Sequence, residues 1–279
     1  GRPLLLTPAG LSLRQRAKEM LQEADRIRAD LRQASSGPLA QLRIAMFSTL
    51  APTLVPAILR EVTGGALPAR SISMMRGITA YSGRELLQRE VDVVITSNAL
   101  YDLEGLERHE LISERFILAV PETLEVKDVS LRSLAGRLPL IRYASRTEAG
   151  RLVEAHLRRQ RLRGDAAFSF DSPEDLMTAV GLGHGWAIIA PTHAIHAGIS
   201  GEHVRLMQMP KPGIGRNITL VARIGELGDA PARLADICRR ALMRHYLPRA
   251  RAVLGELAGE ISIVGAAAQA EAAPAHSEQ

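Results

Sequence analysis

The chain of 279 residues contains one cysteine, Cys238, and three lysines, Lys18, Lys127 and Lys211. A lone cysteine excludes an intrachain disulfide framework and any zinc or iron–sulfur site built on clustered cysteines. Aromatics make up 3% of the residues, with a single Trp, so stacking partners for a large flat ligand are few. No run of about 18 apolar residues occurs, and the sequence offers no bilayer-spanning helix. The opening Gly-Arg-Pro-Leu-Leu-Leu-Thr-Pro lacks the apolar length and cleavage pattern of a signal peptide, so a cytoplasmic protein is expected. It also lacks a starting Met, and a segment ahead of Gly1 is expected. No phosphate-binding Walker loop, Gly-x-Ser-x-Gly elbow or His-Glu-x-x-His motif is present, and nothing in the spacing of Ser, His and Asp singles out a catalytic triad. The expectation is a protein without enzymatic activity and without a cofactor.

What is present is 46% hydrophobic and 23% charged residues, enough for a packed core in one large domain or two ordinary ones. The net charge is +5. With 32 arginines against three lysines, the basic balance reads as codon usage rather than as a nucleic-acid surface. It is mildly polarised, because residues 1–34 carry seven basic and four acidic side chains, whereas residues 255–279 carry four glutamates and no Lys or Arg.

Leu13, Ala17, Met20, Ala24, Ile27 and Leu31 alternate in steps of four and three, an a/d heptad stripe. Thr7 can cap such a helix, Pro8 suits its first turn, and Ser35-Ser36-Gly37-Pro38 stops it. The stripe predicts a dimerisation helix within residues 8–40, roughly 40 Å long at about 1.5 Å per residue. The competing reading is an amphipathic helix lying on its own domain.

The body alternates strand and helix patterns, which implies a parallel α/β core. Strands are expected at 42–48, 70–75, 91–96, 111–120, 138–142, 167–170, 186–191 and 217–224. Helices are expected at 52–62, 83–89, 150–161, 173–181 and 230–246, and a disordered tail at 251–279. Open sheets of this kind bind ligands at the carboxyl ends of their strands. The polar residues at those ends are Ser48, Thr49, Ser82, Ser97 and Asn98 in the first half, and Ser145, Arg146, Thr147 and Asp171 in the second. Hydroxyls and open N–H groups at helix starts suit a carboxylate or another small polar anion, and Arg146 could offer it a fork of donors. Each Ser or Thr could equally be only a helix cap. Gly181-Leu182-Gly183-His184-Gly185 follows a helix and precedes a strand, the wrong order for a phosphate loop, and reads as a helix-to-strand turn. His193, His196 and His203 lack an acidic partner at ligand spacing, so no metal is expected.

Taken together these pieces resemble a LysR-type transcriptional regulator. Arg2-Pro3-Leu4 and Leu6-Thr7-Pro8-Ala9-Gly10 look like the end of the wing and the start of the linker helix. Leu42-Arg43-Ile44, Glu90 to Ile95 and Ala179 to Pro191 match the family's opening strand, its turn and strand before the hinge, and its Gly-turn-strand-Pro segment. The resemblance implies a two-lobed, type 2 periplasmic-binding-protein-like effector domain at 41–250. Lobe I would be 41–112 with 217–250, and lobe II 113–216. It implies a small-molecule effector in the interlobe cleft, a dimer or tetramer, and promoter DNA bound through a winged helix-turn-helix of which residues 1–7 are a remnant, with Arg2 on the DNA backbone. A solute-binding protein of a transporter shares the bilobed body and is the alternative.

Overall fold

Residues 7–17, 20, 23, 27, 39–67, 69–76, 82–125, 130–162, 167–198 and 203–265 are described by the computed structural model. Helix α1 includes 8–17, 20, 23 and 27. Thr7 caps it, its Oγ1 accepting from Gly10 N–H at 3.1 Å. Leu13, Met20 and Ile27 are 71%, 74% and 52% exposed. These three side chains therefore do not pack on the chain's own body.

The first sheet is seeded by β1 (Leu42–Met46), whose apolar residues face helices on both sides. The order β1, α2 (Ala51–Thr63), β2 (Ile72–Arg76), α3 (Ser82–Leu87), β3 (Val93–Thr96) follows the expected alternation. β1 pairs in parallel with β2 and with β3. β4 (Leu106–Arg115) and β10 (Gly215–Arg223) then join antiparallel, and the final order is β11-β4-β10-β3-β1-β2. One face, with Ile44, Met46, Val93, Ile95 and Leu220, packs under α2 and α8 (Ala230–Ala241); the other, with Ala45, Val94 and Val221, packs under α3.

A second sheet is built from β5 (Ile117–Pro121) between β8 (Ala187–Ile189) and β9 (Val204–Gln208), both antiparallel to it. A parallel bridge from Leu140 to Trp186 connects it with the pair β6 (Arg142–Tyr143) and β7 (Ser169–Phe170). Around these lie α4 (Leu131–Ala135), α5 (Glu148–Arg159), α6 (Pro173–Gly181) and α7 (Pro191–Ala197). The sequence places the caps: Thr147 Oγ1 accepts from Gly150 N–H and Ser172 Oγ from Asp175 N–H. Gly183 has φ +83 in the helix-to-strand turn, a conformation that favours glycine.

Four expectations are corrected. The single strand at 111–120 is two strands in different sheets, broken at Phe116, whose N–H donates to the Ile214 carbonyl. β4 runs on to Arg115 in register with β10, so the lobes divide at 115/116 and 214/215 rather than at 112/113 and 216/217. The stretch from Pro191, read as the end of a strand, is helix α7, because a proline fits a helix's first turn as readily as it ends a strand. The tail expected from 251 is ordered to Gly265. Helix α9 (Leu247–Leu254) continues through a 3-10 stretch (Gly255–Glu260) into β11 (Ile261–Ile263), which adds to the free edge of β4 with Ile261 and Ile263 buried. Arg2, Ala24 and Leu31 lie outside the described residues.

Candidate functional site

The two lobes meet where β4 passes into β5 and where the segment after β9 returns to β10. Alternation along these strands sends Glu114 and Arg216 to one face of the hinge and Ser113, Arg115 and Asn217 to the other. The first face holds a buried network. Arg216 Nε donates to Glu114 Oε1 at 2.7 Å, with both side chains within 3% of full burial. Glu114 also accepts from the Thr192 N–H and hydroxyl, both at 2.9 Å. Arg216 Nη2 lies 3.1 Å from His193 Nε2, and His193 Nδ1 lies 2.6 Å from the Tyr143 hydroxyl. A guanidinium can only donate, so Nε2 accepts and the imidazole proton sits on Nδ1, pointing at Tyr143. Burial, reinforced by the Arg216 charge, holds His193 neutral, well below the usual imidazole range. Burial likewise keeps the Tyr143 phenol protonated.

This network joins the roots of two strand-end loops. The Arg216 guanidinium lies 5.7 Å from the Phe47 ring, at the end of β1 and next to Ser48. Through His193 it reaches Tyr143, at the end of β6 and just before Ala144 and Ser145. Loops from both lobes, each preceding a helix, thus share a rigid buried floor.

Ser48 and Thr49 precede α2, whose start has no side-chain cap. Among the described residues neither hydroxyl has a hydrogen-bond partner, so the cap explanation does not hold for this pair. Ser82 opens α3. Ser97 follows β3, and its Oγ is buried without a partner. Asn98 is exposed, and its Oδ1 accepts from Leu100 N–H at 3.0 Å, which closes a local turn. In lobe II, Ser145 and Arg146 are exposed, and Arg146 pairs with Asp171 across the ends of β6 and β7. The hydrogen bond from Arg146 is the main cause that holds the Asp171 carboxyl below its ordinary range. The Thr147 hydroxyl caps α5 and donates to the Ala144 carbonyl at 2.8 Å, a helix-cap role. No hydrogen bond or ion pair joins a lobe I candidate to a lobe II candidate among the described residues.

An open pocket of about 910 Å³ lies at the hinge, and of the expected site residues only Ser97 lines it. Sequence reasoning missed its other walls and the Arg216 network. The available signal was Glu114 interrupting Leu111–Val120 and Arg216 just ahead of the expected strand at 217–224. No group of His, Cys, Asp and Glu able to hold a metal exists among the described residues. Cys238 is buried in α8, and burial pushes its thiol up to about 12, which leaves little thiolate at neutral pH. Among the described residues, no helix is long and apolar enough to cross a membrane.

Two α/β lobes on a two-strand hinge, with polar loops at the strand ends, define a bilobed ligand-binding domain. A family model described as the LysR substrate binding domain matches residues 35–243, and the chain belongs to that family. It is a transcriptional regulator with an effector-binding domain. Regulators of this family bind small-molecule effectors and promoter DNA and form oligomers. No curated protein matches the chain. Solved structures of similar fold include a hydrogen-peroxide-bound mutant of OxyR from Corynebacterium glutamicum, at 20% identity over 93% of this chain and 80% of that one, with a TM-score of 0.64. HinK, a LysR family regulator from Pseudomonas aeruginosa, is 22% identical over 84% of this chain and 80% of its own, with a TM-score of 0.59. A full-length BenM mutant is 17% identical over 87% and 80%, with a TM-score of 0.61.

Proposed function

We propose that the lobes close on a small polar effector held between the strand-end loops, with Ser48, Thr49, Ser82 and Ser97 on one side and Ser145 and Arg146 on the other. The observation that carries this reading is the shared floor, because Arg216 ties the root of the β1 loop to the root of the β6 loop. A ligand touching both loops favours the lobe arrangement it binds better and shifts the population toward it. Asn98 and Thr147 shape these loops, and Asp171 holds Arg146 until a ligand carboxylate competes for the guanidinium. Helix α1 pairs with a second copy along Leu13, Ala17, Met20, Ala24, Ile27 and Leu31, and a winged helix preceding it, with Arg2 at its end, meets promoter DNA. The protein acts in the cytoplasm and catalyses no reaction.

A thermal-shift screen of small carboxylates and other polar metabolites tests the reading. A true effector at about a hundred times its Kd adds about 2.7 kcal/mol of apparent stability. Arg146 is 73% exposed at its side chain, so R146A keeps the unliganded melting temperature and loses most of the ligand-induced shift. An effector whose shift is the same in R146A removes Arg146 from the site.

A further inference from the structure

The hinge pocket reaches Arg216 as well, but that guanidinium is buried and engaged by Glu114. Its walls include Arg115 at the end of β4, Lys211 and the following turn on the return from lobe II, and Ser97, Ser113, Asn217 and Tyr101. Among the described residues neither Arg115 nor Lys211 has an ion-pair or hydrogen-bond partner. Glu114 also borders the pocket, but its carboxylate is buried on the opposite face and neutralised by Arg216. The Ser97 Oγ is buried without a partner, and Thr219, on the same strand face as Asn217, has a buried Oγ1 in the same state.

The wall formed by residues 97–105 is preorganised. The Arg108 guanidinium donates to the carbonyls of Ala99, Leu100, Leu103 and Leu106 and lies 5.2 Å from the centroid of the Tyr101 ring. Thr96 Oγ1 accepts from Asn98 N–H at 3.1 Å, which fixes the loop at its start. Two unpaired cations, an orphaned hydroxyl and a pinned wall around a solvent-open space are the chemistry of an oxyanion site.

We propose that this pocket is a second ligand site, beside the interlobe loops and sharing only Ser97 with them, which binds a small oxyanion, a carboxylate or a phosphate, between Arg115 and Lys211. Arg115 belongs to the outgoing hinge strand and Lys211 to the returning segment. A bound oxyanion therefore ties the two crossings together from outside their ladder and stiffens the hinge.

The test is calorimetric titration of the chain with inorganic phosphate and with succinate, at ionic strength held constant with chloride. One bound anion per chain is expected for at least one probe, and which probe binds separates a phosphoryl ligand from a carboxylate. R115Q and K211Q each weaken it by about tenfold or more, while R146A leaves it unchanged. Both side chains are exposed, so the variants fold; should R115Q melt early, K211Q carries the comparison. Binding of neither probe, or affinities in R115Q and K211Q equal to the parent's, overturns the site. Loss in R146A with retention in R115Q assigns the anion to the interlobe loops and overturns it as well.

Discussion

At the scale of the residue, His193 is a titratable group held on both ring nitrogens. It accepts from Arg216 and donates to Tyr143 inside the hinge floor, a role open only to the neutral imidazole. Protonation would place a second cation against the guanidinium with both out of water. The consequence for stability follows from the unfolded chain, where histidine takes up its proton near pH 6.5. Above that pH neither state is protonated and the neutral histidine costs nothing. As the pH falls through about 6.5, the unfolded state gains a proton that the native state refuses, and stability declines by up to about 1.4 kcal/mol per pH unit. The decline continues until the native pKa, which lies well below 6.5, is reached. His156, also lowered by burial and then by Arg159, adds to the slope over the upper part of that window. H193Q keeps an acceptor and a donor but does not titrate. Urea unfolding of H193Q between about pH 5 and 7 should show a shallower acid limb than the parent, with a loss of about 1–2 kcal/mol at neutral pH from imperfect geometry. An unchanged acid limb would show that His193 does not carry the effect.

At the scale of the element, the last strand shows how a short segment contributes. β11 is three residues long, yet Ile261 and Ile263 are buried and its ladder covers the β4 edge opposite Glu114, Ser113 and Ile112. Each buried isoleucine contributes about 1.5–3 kcal/mol. Ending the chain before Ile261 should therefore cost about 3–5 kcal/mol in denaturant unfolding and expose the edge to aggregation, and I263D should reproduce most of the loss; unfolding curves that coincide with the parent's would remove β11 from the stabilised fold. Why β11 escaped sequence reasoning is physical. Ile-Ser-Ile is too short to show a period, and it sits between glycines and an Ala- and Glu-rich stretch that reads as disorder. The hinge escaped for another reason, since Leu111 to Val120 carries apolar residues on both sides of Ser113-Glu114-Arg115 and nothing local marks the change of sheet at Phe116. Elements with strong local chemistry were legible: Ser172 before Pro173, Thr147 before α5, Gly183 in its turn. The strand-end loops were legible too, because their polar residues interrupt apolar runs. The Arg216 network and the hinge pocket were not, since they form from residues about 100 positions apart that only tertiary pairing brings together.

At the scale of the whole molecule, the question is what covers α1. Leu13, Met20 and Ile27 follow the heptad stripe and are more than half exposed, and most of a helix's stability in a protein comes from packing its apolar face. A second copy of the same helix offers a matching seam, the self-complementary arrangement that a two-fold dimer requires. Ala17, between Leu13 and Met20, permits close approach of the backbones but buries little area, so this seam is one of moderate strength. Sedimentation of the chain should show a dimer whose dissociation shifts by about 1.5 kcal/mol or more, roughly tenfold or more in Kd, for each large seam residue replaced. L13D and M20D together should give monomers at micromolar concentration. Because neither side chain touches the body, the thermal unfolding of the two lobes should be the same in parent and variant once the concentration-dependent part is subtracted. A lobe transition that falls along with the dimer would mean that α1 packs on the body in solution, and a variant that remains dimeric would place the oligomer contact elsewhere on the lobes.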